Sequence, residues 1–114
     1  MITLYHNPRC SKSRQALALL QEHNIEPVIR LYLENPPTTA ELKKLLAQLG
    51  VGPRQLLRTG EDAYKELNLK DESLSDAALI KAMAAHPKLI ERPIAIKGER
   101  AVIGRPPENV LALL

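Results

Sequence analysis

The chain of 114 residues has one cysteine, Cys10, and neither phenylalanine nor tryptophan. A single cysteine excludes a disulfide framework, a cysteine-rich zinc site and a protein-only iron–sulfur cluster. It also points to a reducing compartment. Without Phe or Trp the core must be aliphatic, and the aromatic platforms on which single-stranded nucleic acids stack are missing. The net charge is only +3, and Lys and Arg are scattered rather than gathered into a basic stripe, so no nucleic-acid partner is expected. No apolar run reaches the length of a membrane span, and the first residues lack the basic start and apolar stretch of a secretion signal. These absences predict a cytoplasmic protein with no membrane partner. The length suits one domain over residues 1–114, and nothing in the sequence demands more than a monomer.

What is present reads as alternating strand and helix. Ile2–Tyr5 is an apolar strand. Ser11–His23 carries a helical stripe of Ala16, Leu17, Leu19 and Leu20, with Asn24 suited to its C-terminal end. Glu26-Pro27 breaks the helix, and Val28–Leu33 reads as a second strand. Strand, helix and strand over about thirty residues make a βαβ unit with parallel strands. Thr38 and Glu41 then form a capping-box pattern before Leu42, Leu45, Leu46 and Leu49, and Gly50 ends that helix. Short helices follow from Pro53 and over Glu61–Leu67, and another is capped by Ser75. Residues 38–89 thus form a helical insertion. Ile94–Lys97 and Ala101–Ile103 are strands joined by a Gly98-Glu99 hairpin turn, and Pro106-Pro107 opens a last short helix. The order predicts an α/β fold of thioredoxin/glutaredoxin type: a mixed four-stranded sheet with helices inserted between its βαβ and ββα halves. Arg92-Pro93, just before the third strand, is where such folds hold a cis proline.

Cys10 falls between the first strand and the first helix, in Tyr5-His6-Asn7-Pro8-Arg9-Cys10-Ser11-Lys12-Ser13-Arg14. A free cysteine is commonly a small buried hydrophobe. This one sits in a polar loop, where the unpaired N–H groups and dipole of a helix start favour negative charge. Ser11 and Ser13 bring hydroxyls for a thiolate or a bound oxyanion, or else serve as caps. His6 is placed to assist the thiol or to orient the loop. Five residues beyond Cys10 the next position is Ala16, so the Cys-x₅-Arg loop of tyrosine-phosphatase-like sites is missing. Arginines for an oxyanion must come from elsewhere. Arg58 at a helix end, Arg92 before the expected cis proline and Arg105 in Gly104-Arg105-Pro106-Pro107 each read singly as a surface residue or a C-cap, but together they would converge on the Cys10 edge of a thioredoxin-like sheet. Guanidinium suits a tetrahedral oxyanion. His23 and His86 are read as surface, and no metal-ligand spacing occurs. With no second sulfur in the chain, anything formed on Cys10 must be resolved by an outside thiol.

The sequence resembles the glutaredoxin-type arsenate reductase family. The likeness runs nearly end to end: His6-Asn7-Pro8 with Cys10 and Ser13-Arg14, Leu31-Tyr32-Leu33-Glu34-Asn35-Pro36-Pro37, Leu56-Leu57-Arg58, His86-Pro87, Arg92-Pro93-Ile94 and Gly104-Arg105-Pro106. The resemblance implies Cys10 as nucleophile, Arg58, Arg92 and Arg105 as ligands of arsenate, and His6 in support of the thiol. It implies no bound cofactor, glutathione as co-substrate and glutaredoxin as partner. Arg9 departs from the small residue typical of the family before this cysteine. The residues leave two other readings open. Cys10-Ser11-Lys12-Ser13 suits a monothiol, glutathione-linked oxidoreductase. The fold also hosts non-catalytic regulators of this family, although Ser13 removes the Cys-x-x-Cys switch associated with them.

Overall fold

The computed structural model describes residues 1–114. Its contacts divide into two compact units, residues 1–35 with 92–114, and residues 36–91.

In the first unit, β1 (Thr3–Tyr5) runs parallel to β2 (Val28–Arg30), with helix α1 (Ser11–Glu22) as the crossover. β3 (Ile94–Lys97) and β4 (Arg100–Ile103) form an antiparallel hairpin, whose turn uses Gly98 at φ +60°. β3 pairs antiparallel with β1, giving the order β2-β1-β3-β4. This is the mixed thioredoxin-like sheet expected from the sequence. Its register sets Tyr5 opposite Ile94, which brings Arg92-Pro93 alongside the loop that follows β1. The Arg92-Pro93 peptide is cis, as expected, and so is Arg105-Pro106, which was not foreseen.

One buried cluster of this unit is aliphatic, but the core as a whole is not, since Tyr5 and Tyr32 are buried too, against the expectation from the absence of Phe and Trp. Ile2, Leu4, Ala16, Leu20, Ala95, Val110 and Leu113 are all buried together. They join the sheet to α1 and to the terminal 3₁₀ helix Pro107–Leu113, and the Ile, Leu and Val side chains among them each contribute about 1.5–3 kcal/mol when fully covered. Lys97 Nζ and Arg100 Nη2 donate to the Leu113 and Ala112 carbonyls at 3.1 Å, satisfying the open end of that helix. α1 closes on Asn24, whose φ of 62° is the left-handed conformation of a helix stop. β2 is shorter than the Val28–Leu33 read from the sequence. The backbone turns at Leu31, whose carbonyl accepts from Glu34 N and Asn35 N at 2.9 Å. That turn buries Tyr32, which stacks on Tyr5 with ring centroids 6.2 Å apart.

The second unit holds α2 (Thr39–Leu49), α3 (Pro53–Leu56), α4 (Asp62–Glu66) and α5 (Asp76–Ala85). The Thr38–Glu41 capping box forms in both directions, with Thr38 Oγ1 accepting from Glu41 N and Glu41 Oε1 from Thr38 N. Gly50 ends α2 at φ +70°, a conformation that costs glycine little. α5 packs against α2, α3 and the 3₁₀ turn Pro87–Leu89 through Leu79, Ile80 and Met83, all buried. No helix of the chain is long and apolar enough to cross a membrane.

Candidate functional site

Cys10 is the N-cap of α1, and the loop before it is tied at every residue. Asn7 Oδ1 accepts from Arg9 N at 3.0 Å, and Asn7 O accepts from Cys10 N at 3.0 Å. From the first turn of α1, Arg14 Nη1 reaches back to donate to the Pro8 carbonyl at 2.8 Å. These bonds fix the loop's path before anything binds. Cys10 itself is 8% exposed.

A cationic side chain from the other end of the chain reaches its sulfur. Arg105 Nη2 lies 3.7 Å from Cys10 Sγ, while Arg105 Nε donates to the Arg92 carbonyl at 2.8 Å. The guanidinium is therefore held by one edge and turned towards the thiol with another. Arg92 supplies this carbonyl from the residue before the cis proline, and its own Nε and Nη1 are fully buried. Arg105 follows a close approach of backbone to ring. Gly104 N donates to the Pro93 carbonyl at 2.8 Å, and a Cβ on Gly104 would meet Pro93 Cγ at 2.8 Å and Val110 Cγ1 at 3.2 Å. Glycine is required there by space, since its φ is unremarkable.

His6 and Ser13 form a second, hidden pair. His6 is 7% exposed and Ser13 is fully buried, with His6 Nδ1 at 2.6 Å from Ser13 Oγ. Ser13 Oγ also accepts from Asn7 N at 3.0 Å. A buried hydroxyl proton needs an acceptor, and Nδ1 is the one at hand, which assigns the imidazole proton to Nε2. Burial, and then the positive charge of Arg14, lower the His6 pKa. A neutral imidazole orients the loop; it does not lend the thiol a charge. Of the two roles the sequence offered His6, orientation is the one this geometry supports. Ser13's hydroxyl, offered to a thiolate or oxyanion, is instead committed to His6 and Asn7. Ser11 is exposed on the first turn of α1.

Arg58 belongs to the second unit. Its Nη1 pairs with Glu61 at 2.7 Å and its Nε with Glu91 at 3.7 Å. Its backbone N–H donates to the Leu89 carbonyl beside the Leu57–Ile90 bridge, which fixes where the side chain starts. No group of three His, Cys, Asp or Glu side chains is gathered for a metal ion.

Two features lay beyond the sequence reading. One is a cleft of about 270 Å³ along the loop before Cys10, lined by His6, Asn7, Pro8, Arg9, Leu31, Leu33 and Glu34. Three of its lining residues, Leu31, Leu33 and Glu34, lie just beyond the end of β2. The other is Asn109, whose Nδ2 donates to the carbonyls of Ile103 at 3.2 Å and Arg105 at 3.1 Å. An asparagine two residues after a Pro-Pro pair carried no signal of that role.

Comparison with known proteins places the chain in a family. The chain is 55% identical to the Escherichia coli protein described as uncharacterized protein YfgD, over 99% of this chain and 96% of that one. It is 50% identical to a protein of Haemophilus influenzae named arsenate reductase, over 99% and 98%. The solved structure of an arsenate reductase from Vibrio cholerae superposes with a TM-score of 0.97 at 54% identity, covering 99% of this chain and 97% of that one. A model of the ArsC family matches residues 5–113, from the end of β1 to the end of the terminal helix. With the sheet, the cysteine loop and the cis-proline corner on one continuous match, the chain belongs to the ArsC family.

Proposed function

We propose that this protein is an arsenate reductase working with glutathione and glutaredoxin. The observation that carries the reading is the Arg105 guanidinium, 3.7 Å from the sulfur of the chain's single cysteine. A guanidinium so placed attracts a tetrahedral oxyanion to the sulfur and can hold it there by paired hydrogen bonds. Disulfide exchange alone has no need of such a clamp. Relatives half identical to this chain bear the name arsenate reductase, which supports the same substrate.

In this reading the Cys10 thiolate attacks arsenic(V). A sulfur–arsenic bond forms and an oxygen leaves as water or hydroxide. Arg105 neutralises the charge on the remaining oxygens, with Arg92 beside it. Arg58's share in the clamp rests on the family resemblance. His6 and Ser13 hold the loop so that the sulfur meets the oxyanion in one geometry. Glutathione then attacks the arsenic of the adduct and displaces a second oxygen as water, and a glutaredoxin thiol takes the glutathione sulfur as a mixed disulfide. Two thiols lose two electrons as that disulfide forms and arsenic gains them; water then cleaves the sulfur–arsenic bond, releasing arsenite and returning the Cys10 thiol. The chain's own cysteine ends as it began, so one sulfur suffices. The cleft beside the loop gives the outside thiol a side from which to approach.

The test is arsenate-dependent NADPH oxidation by the purified protein, coupled to glutathione, glutaredoxin and glutathione reductase. Turnover is expected, with Cys10→Ser reduced to background. Arg105→Ala is expected to lose about 10²–10³-fold in kcat/KM, the usual cost of removing a donor from a developing oxyanion. Absence of arsenate-dependent turnover, with the coupling enzymes active, contradicts the substrate assignment.

A further inference from the structure

We infer that Asn109 is a positioning residue, holding Arg105 on the sulfur of Cys10. The chain of contacts starts from a rigid base. The terminal 3₁₀ helix is anchored by Pro107, Val110 and Leu113, all buried, with Val110 and Leu113 in the aliphatic cluster of their unit. Asn109 stands on the exposed side of that helix, so its amide serves no core packing. Its Nδ2 group spends both hydrogens on the carbonyls of Ile103 and Arg105, the two that flank Gly104. Both partners are acceptors, so the amide's orientation is fixed; the reverse orientation would set its oxygen against two carbonyls.

Those two bonds pin the peptide that carries the Arg105 side chain. Arg105 N also donates to Ile103 O at 2.9 Å, and Asn109 N to Pro106 O at 3.0 Å, so the turn from β4 into the helix is closed from both sides. Beyond it, Arg105 reaches Arg92 O with Nε and Cys10 Sγ with Nη2. Arg105 is exposed, and a long exposed side chain surrenders considerable rotamer freedom to hold one such pose. A fixed backbone origin reduces what remains to be ordered.

The inference rests on Arg105 serving Cys10, as in the reading above. Its test reads the cysteine directly and uses no arsenate, so failure of that substrate leaves it standing. Cys10 is the sole thiol, so alkylation reports one site. The ratio of rates for anionic iodoacetate and neutral iodoacetamide measures the positive charge at the sulfur. Asn109→Leu, which keeps the shape and removes both donors, is expected to lower that ratio severalfold, towards the value for Arg105→Ala. Asn109→Ala is expected to do the same without added apolar bulk. In an Arg105→Ala background neither change should move the ratio, because the charge they position is gone. An unchanged ratio in the single variants, or an equal fall in both backgrounds, overturns the inference.

Discussion

His6 is a titratable side chain kept under cover by the fold, and its environment gives it a measurable signature. Burial and Arg14 lower its pKa from the ordinary value of about 6.5. The unfolded chain therefore binds more protons than the folded one between the lowered value and about 6.5. Stability contributed by the neutral imidazole is complete above that window and is lost as pH falls through it. Thermal melts from about pH 7 to about pH 5.5 should show a larger loss of Tm in the wild type than in His6→Asn. Equal slopes would mean that the imidazole is not held neutral by its surroundings. At this scale the sequence set His6, Ser11 and Ser13 close to Cys10 but did not say what each side chain touches. Ser13 could be read as a donor to the thiol because its spacing from Cys10 invites it. Only the fold reveals that position 13 faces inwards, beneath His6.

The turn from β4 into the terminal helix carries the tightest backbone packing in the site. Gly104 sits between the Pro93 ring and Val110, so a methyl group there must displace one of them. Gly104→Ala is expected to destabilise the protein by about 1–3 kcal/mol, the range for overpacking a well-filled region. Denaturant titration measures this, and a neutral result would show that the Pro93 contact is soft. The elements themselves were largely legible. The period of Ala16, Leu17, Leu19 and Leu20 fixed α1, Thr38 and Glu41 marked the start of α2, and Gly98 marked the hairpin. These signals are local, made by neighbours in sequence. The end of β2 was not legible, because Leu31-Tyr32-Leu33 looks like strand until Tyr32 finds Tyr5 to stack on. Asn109 was invisible for the same reason: its partners are backbone carbonyls, which every residue has, and only their placement distinguishes it. Arg58, Arg92 and Arg105 stood out in the sequence. The partners each one takes were not announced there, namely the Arg92 carbonyl for Arg105 and two glutamates for Arg58.

For the whole molecule, the single cysteine sets the logic. The first unit brings the two ends of the chain together on one sheet, and residue 105 thereby reaches residue 10. Around that point Arg9, Lys12, Arg14 and Arg105 are all exposed, a basic rim in a molecule with a net charge of only +3. Such a rim draws anions to the thiol at low ionic strength and loses reach as salt screens it. The central claim is that an oxyanion is received at Cys10 by Arg105. The most direct measurement is the rate of Cys10 alkylation by iodoacetamide as arsenate is added, with no reductant or partner protein present. The account predicts saturable protection that weakens with added salt and disappears in Arg105→Ala. An alkylation rate indifferent to arsenate, or protection that survives intact in Arg105→Ala, would contradict it.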